Sequence, residues 1–99
     1  MSVLNTARTF EDLGVAAYSG AGQLLTDVNF LLTAGKIVSI EARHAAWIRY
    51  IMNPKTNSFA NSEVVDNNGL EISKSPSQVL SAAGGFVRNR IIFSGLPTS

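Results

Sequence analysis

The stretch Ile40–Ala46, written IEARHAA, places the carboxylate of Glu41 three residues before His44, the only histidine of the chain. Residues three apart lie on one face of a helix, so both side chains can reach the same ligand. Their neighbours are apolar, and desolvating two ionisable groups there is costly unless a partner binds them. Carboxylate oxygens with a neutral imidazole suit iron or manganese better than thiophilic ions. The spacing therefore predicts a metal site.

A second interpretation of the same residues stays open. His44 is then a hydrogen-bonded core histidine, and Glu41 is a solvated residue at the edge of the seam between two helices. A lone Glu-x-x-His arises by chance in many helices, so the elements around it must decide.

Two long helices are predicted to position these residues, one over about 6–25 and the other over about 28–52, each with apolar residues at helical spacing. Thr26-Asp27 offers a turn and an N-cap, and Asn53-Pro54 ends the second helix. The predicted inward stripe of that helix consists of Ala34, Ile37, Val38, Glu41, His44, Ala45, Ile48 and Met52. Lys36, Arg43 and Tyr50 lie on its other side.

The remaining residues contribute shorter elements. Residues 53–74 are rich in Asn, Ser and Lys and are predicted to form a loop. Ser75-Pro76-Ser77-Gln78 is typical of a capping box with proline at the first helical position, which predicts a short helix over about 76–83. Gly84-Gly85 ends it, and the tail over 84–99 fits either a strand or an extended packing arm.

Glu11 is the third candidate ligand. Two long helices joined by a short turn pack antiparallel. With the turn near residue 26, Glu11 lies 15 residues before it and Glu41 lies 15 residues after it. Each carboxylate is then about 22 Å from the turn. The spacing predicts that Glu11, Glu41 and His44 meet at one level, although a glutamate near a helix start also compensates the helix dipole.

Composition excludes several classes of protein. A chain of 99 residues forms one domain at most, and without cysteine it has no disulfide and no thiolate zinc site. The net charge of +1, with scattered basic residues, argues against nucleic acid as a partner. Lys36 interrupts the longest apolar run, which argues against a transmembrane segment. Because the start lacks a signal-peptide pattern, we expect a cytoplasmic protein as written, or a secreted one if the chain is a fragment.

Two further functions find little support. Gly20-Ala21-Gly22 and Gly35-Lys36 are weak matches to nucleotide-binding loops, since neither follows a strand and the required spacing is missing. No nucleophile elbow of a Ser-His-Asp hydrolase is present.

Three segments carry a resemblance to a known family. ARTFEDLGVAAYSGAGQLLTD, over 7–27, and AGKIVSIEARHAAWIR, over 34–49, resemble the last two core helices of the ferritin-like domain in desiccation-related and fungal stress-response proteins. LEISKSPSQVLSAAGGFV, over 70–87, resembles the short helix that trails that domain. The match covers most of the chain, with 53–70 and the extreme ends the least similar.

The resemblance implies an all-α fold, the antiparallel two-long-helix half of a ferritin-like four-helix bundle plus a short C-terminal helix and tail. It implies that Glu11, Glu41 and His44 are metal ligands of a dinuclear iron or manganese site. Tyr18, two turns from Glu11, lies near the core and is interpreted as a packing residue, with a position behind the ligands as the alternative. Trp47 and Arg43 are expected to serve packing and solvation.

The chain departs from the family because the first helix pair, with its own Glu and Glu-x-x-His, is absent. The missing half then comes from the N-terminal part of a longer chain or from a second copy in a homodimer, which restores four carboxylates and two imidazoles. One hypothesis is therefore an iron- or manganese-dependent oxidase, peroxide scavenger or iron-oxidising protein active in stress responses. The other is a non-catalytic, structural helical protein that keeps the ferritin-like scaffold.

Overall fold

Two capped helices form the centre of the molecule. The computed structural model describes residues 2–87, 89, 92 and 94–97. Helix α1 spans Val3–Ala21 and continues as a 3-10 turn over Gly22–Leu24, and α2 spans Val28–Met52. Each begins at a polar cap: Ser2 Oγ accepts a hydrogen bond from the Asn5 amide, and Asp27 Oδ1 accepts one at 2.8 Å from the Asn29 amide. The caps satisfy amides that the first helical turn leaves unpaired.

The two helices lie antiparallel and contact each other along their length through small residues. Val15 and Ala16 of α1 and Ala45 of α2 are the buried apolar residues of the described chain. Because these side chains are short, the two backbones approach closely and polar residues on either flank come within reach of one another.

The segment after α2 returns across one face of this helix pair. It contains a 3-10 turn over Ser58–Ala60 and an isolated antiparallel bridge between Val65 and Glu71. The Lys74 amide then donates a hydrogen bond to the Ala16 carbonyl at 2.9 Å, which fixes the segment against α1. We call the side of α1 and α2 beneath residues 53–86 the covered face, and the side that carries Glu11, Glu41 and His44 the open face.

Helix α3 spans Pro76–Ala83 and packs against α1 on the covered face. Its N-terminus is the predicted capping box: the Gln78 amide donates to Ser75 Oγ at 3.3 Å, and the Ser75 amide donates to Gln78 Oε1 at 2.9 Å. A 3-10 turn over Gly84–Phe86 follows, and the Phe86 ring lies 4.7 Å from that of Phe10, centroid to centroid.

The predicted fold class is confirmed, with two long antiparallel helices and a short C-terminal helix. The first helix begins three residues earlier than predicted, and its last turn is 3-10. Part of the predicted tail, including Arg88, Arg90, Ile91 and Phe93, lies outside the described residues. Within the described part of the tail, the Pro97 carbonyl accepts a hydrogen bond from the Ser77 amide at 3.5 Å.

Large apolar side chains remain exposed on both long helices. Val3, Val28, Phe30, Leu32 and Trp47 each show at least 60% of their surface to solvent. No large side chain among the described residues is fully buried. The chain therefore forms a helix pair with one face packed and substantial apolar surface uncovered. In the part of the chain that the structure describes, none of the helices combines the length and the hydropathy needed to cross a bilayer.

Gly20 provides a test of how the covered face is assembled. It is buried, and a methyl group added there would overlap the backbone carbonyl of Lys74. We expect Gly20→Ala to lower the free energy of unfolding by about 1–3 kcal/mol, because the backbone at Lys74 must move away from α1 to make room for the methyl group. Urea unfolding followed by circular dichroism measures the change.

Gly35→Ala is the matched control. Gly35 lies within α2, and a methyl group there meets nothing within 4 Å. The same substitution should stabilise the protein by up to about 1 kcal/mol through helix propensity. Equal effects of the two substitutions would contradict the contact between residue 74 and α1.

Candidate metal centre

Glu11, Glu41 and His44 converge on the open face. One ligand atom from each of the three lies within 4.8 Å of the others, and His44 Nδ1 lies 3.6 Å from Glu11 Oε1. Glu11 comes from the middle of α1, and the other two come from successive turns of α2. The level matching predicted from the turn position is therefore present in the structure.

Gly14 helps to bring the helices together at this level. A methyl group at residue 14 would lie 4.0 Å from Oε2 of Glu41, so the Glu41 carboxylate rests beside the bare backbone of α1. It is one helical turn from Glu11, which places the two carboxylates side by side.

The Glu41 carboxylate disfavours the ionised form of Glu11. The adjacent Glu41 carboxyl raises the pKa of Glu11, because only a protonated Glu11 can donate a hydrogen bond to it. Burial and the negative charge of Glu41 raise the pKa further, while the nearby His44 lowers it. When Glu11 is ionised, its buried Oε2 atom has no hydrogen-bond partner. The surroundings of Glu11 therefore favour a proton or a cation beside its carboxylate.

His44 differs from its prediction in one respect. The predicted stripe places His44 on the inward side of α2, but its side chain is 55% exposed, whereas that of Glu11 is 25% exposed. The prediction that His44 faces inward is therefore wrong. The reason is that no element among the described residues lies over the open face at this level, so the cluster opens to solvent on the His44 side.

The other residues singled out from the sequence lie at the surface. Tyr18 is 36% exposed and Trp47 is 63% exposed. The Trp47 ring stacks on that of Tyr50 with centroids 5.9 Å apart. Trp47 was expected to serve packing, but most of its side chain is exposed. Arg43 is exposed, as expected of a residue that serves solvation.

A second charged cluster on the covered face was not predicted. Arg49 is only 5% exposed, and its guanidinium donates three hydrogen bonds to the two carboxylate oxygens of Asp12, with Nη2–Oδ2 at 2.8 Å. It also donates to Glu63 Oε2 at 2.8 Å and to the Ser58 carbonyl at 3.2 Å. Arg49 therefore joins both long helices to the 58–63 segment.

The sequence held a faint signal for this cluster. Arg49 lies four residues after the buried Ala45, one turn along the same face of α2, where an apolar residue is the usual choice. Its partners are 37 and 14 residues away, so no local spacing relates them. A cavity of about 190 Å³ adjoins the cluster, lined in part by Ala42, Val64 and Ile72.

The two long helices match a known protein family. A sequence model of the ferritin-like domain family matches residues 1–54, which is more than half of the chain and includes the whole of α1 and α2. The search of curated proteins and the search of solved structures each found no match. Glu11, Glu41 and His44 lie within the matched segment, and Glu63 lies beyond it.

Replacing Arg49 tests the covered face. Arg49→Ala leaves the Asp12 carboxylate beside α2 without its cation, and breaking a buried pair in this way costs about 3 kcal/mol. Chemical unfolding measures the loss. Arg43→Ala removes an exposed arginine from the same helix and should change stability by less than about 0.5 kcal/mol. Similar losses in both variants would contradict a structural role for Arg49.

Glu63 makes the same cluster sensitive to pH. Its hydrogen bond with Arg49 lowers the pKa of Glu63 below the ordinary value of 4.5, and the Arg49 charge adds to this. A lowered carboxyl pKa contributes stability above pH 4.5 that is lost as the pH falls through the folded-state value. The stability advantage of the wild type over Glu63→Gln should therefore shrink as the pH falls below 4.5, measured by urea unfolding at a series of pH values.

Glu71→Gln supplies the control of opposite sign. Burial raises the pKa of Glu71, and repulsion from Asp12 adds to this, so ionised Glu71 opposes folding. The stability of Glu71→Gln relative to the wild type should rise as the pH rises through the ordinary value. Two variants with parallel pH profiles would show that the Arg49 pairing does not distinguish these glutamates.

Proposed function

Because this chain belongs to the ferritin-like domain family, we propose that Glu11, Glu41 and His44 bind iron or manganese as half of a dinuclear site. The observation that carries the proposal is the convergence of two carboxylates and one imidazole, with a buried carboxylate oxygen that has no partner. A Glu on one helix with a Glu-x-x-His on its neighbour is the half-set from which carboxylate-bridged dinuclear sites are built.

The residues fit such an ion. Two carboxylates and one imidazole form an oxygen-rich set of the kind that suits iron and manganese. A cation beside Glu11 Oε2 takes the place of the proton that Glu41 and burial otherwise favour there. It also offsets the repulsion between the two carboxylates, so binding relieves a conflict that the helices impose.

Each residue has a separate part in this proposal. Glu11 and Glu41 hold the ion from opposite helices and neutralise its charge, and Gly14 leaves space for the Glu41 carboxylate beside α1. His44 contributes a neutral ring nitrogen, and its 55% exposure leaves a path from solvent to the site. Bound iron or manganese supplies redox and Lewis-acid chemistry toward oxygen or peroxide.

The three ligands make up half of a dinuclear set. A complete set needs two further carboxylates at least and a second imidazole, from another helix pair of the same type. The two sources considered from the sequence are the N-terminal half of a longer chain and a second copy of this one.

We propose oxidative-stress or oxidase-type chemistry as the function of this site. What supports the finer assignment is the motif resemblance to desiccation-related and fungal stress-response proteins at Glu11–Gly14 and Glu41–Ala46. The alternative is a non-catalytic, stress-associated scaffold. It is favoured by the approach of His44 Nδ1 to Glu11 Oε1 at 3.6 Å, since an imidazole in this position can pair with the carboxylate in place of an ion.

Metal binding separates the two functions. Equilibrium dialysis against Mn²⁺, followed by elemental analysis, should give saturable binding that Glu41→Gln weakens by about tenfold or more, since losing even an outer partner of a ligand costs 10–100-fold. Binding should also weaken as the pH falls, because the ligands must be deprotonated. Thermal unfolding should shift upward with Mn²⁺, since an ion that binds the folded state stabilises it.

Glu71→Gln is the matched control, because it removes a carboxylate with a raised pKa on the covered face. It should bind Mn²⁺ as the wild type does. Equal binding by the wild type and Glu41→Gln, or an unfolding temperature that Mn²⁺ does not change, would contradict the metal site and favour the scaffold.

A further inference from the structure

The exposed side of α2 carries a regular apolar stripe. Its residues are spaced alternately three and four apart, which is the heptad pattern of a helix that packs against another helix. We define the α2 stripe as Phe30, Thr33, Ile37, Ile40, His44, Trp47 and Ile51. All of them are exposed, including Phe30 at 66%, Trp47 at 63% and Ile40 at 50%.

The stripe passes through the candidate metal centre. His44 lies within it, and Glu41 lies beside it, four residues after Ile37 and three before His44. A partner that packs on the stripe therefore also covers the open side of the cluster, where His44 faces solvent. The apolar surface and the incomplete ligand set require the same thing, namely a further helix at the level of His44.

We infer that a second copy of this chain packs on the α2 stripe and completes the ligand set, an inference that rests on the function proposed above. The stripe is close to self-complementary, because its residues are spaced symmetrically about a point midway between Ile40 and His44. When two α2 helices cross antiparallel at that point, Ile37 faces Trp47 of the partner subunit and Ile40 faces the partner's His44. A two-fold dimer needs such a surface, since each copy presents the same patch.

The carboxylates of two copies can be brought together only if metal ions balance their negative charge. Each copy brings Glu11, Glu41 and His44, so two copies bring four carboxylates and two imidazoles to one level. Four negative charges repel one another when brought together, and two divalent cations balance them. The dimer should therefore form more tightly when Mn²⁺ is bound than when it is removed.

The exposed area is large enough for a dimer to form. Phe30 and Trp47 together leave roughly 250 Å² uncovered, taking about 200 Å² for each complete aromatic side chain. Ile37, Ile40 and Ile51 extend the same patch, and soluble monomers rarely expose more than a few hundred Å² of continuous apolar surface. A standard interface buries about 800 Å² on each partner, and the α2 stripe supplies much of this.

The experiment measures the mass of the full 99-residue chain in solution. Sedimentation velocity over a range of concentrations, with chelator or with Mn²⁺, gives the dimer dissociation constant. We expect a dimer that Mn²⁺ tightens by at least tenfold. Trp47, the only tryptophan, lies on the stripe, so its fluorescence emission should shift to the red as the dimer is diluted.

Two glutamate substitutions locate the interface. Ile40→Glu places a charge in the middle of the stripe and should weaken the dimer by about 100-fold, because an unpaired charge becomes buried. Leu32→Glu places the same charge on the same helix at another exposed apolar residue, 60% exposed and outside the stripe, and should leave the dimer intact. Circular dichroism checks that both variants keep their helices.

The outcomes distinguish this inference from the proposed function. A monomer that binds Mn²⁺ would overturn the second copy as partner and leave the metal site in place. A dimer that Ile40→Glu does not weaken would also overturn it, since the interface then lies elsewhere. A dimer that depends on Ile40 but takes up no Mn²⁺ would overturn the completed ligand set, and with it the proposed function.

Discussion

The packing of α1 against α2 is the interaction on which the rest of the structure depends. It uses the small residues Val15, Ala16 and Ala45, because only short side chains let two helices approach closely enough for polar groups on both flanks to meet. A helix pair of this kind has two faces. Residues 53–86 cover one of them, and in the part of the chain that the structure describes the other is left to solvent. The stability of the chain and the chemistry of its charged residues both follow from this asymmetry.

The two faces treat charge in different ways. On the covered face, Arg49 is paired with Asp12 and Glu63 and also donates to a backbone carbonyl, so nearly every donor of its buried guanidinium is used. On the open face, Glu11 and Glu41 meet with only the exposed His44 to offset them, and one buried oxygen has no partner. The hydrogen bonds and charges of the Arg49 cluster are satisfied within the chain, so this cluster is structural. The Glu11–Glu41 pair keeps an unpartnered buried oxygen that a proton or a cation can satisfy.

Much of the fold follows from local signals in the sequence. Asp27 and the Ser75–Gln78 capping box mark helix starts because their hydrogen bonds run to amides two or three residues away. The level of Glu11 with Glu41 and His44 was also predictable, because two equal helical lengths from one turn fix it. The Arg49 cluster was not, since its partners lie across the fold and are related by tertiary packing alone. The exposure of His44 was missed for a similar reason: a periodic pattern shows which residues share a face but not whether another element covers that face.

A small domain with few buried residues gains stability from any ligand that binds its folded state. A chain of this size buries a limited core by itself, and here the buried apolar residues are a valine and two alanines among those described. Covering the open face would bury Phe30, Ile40 and Trp47 and would hold the carboxylates in place around a cation. Association, metal binding and folding are then linked equilibria, because any ligand that favours the folded state stabilises it. The proposed metal site has a related consequence, since a helix pair that positions two carboxylates before an ion binds holds like charges together without it.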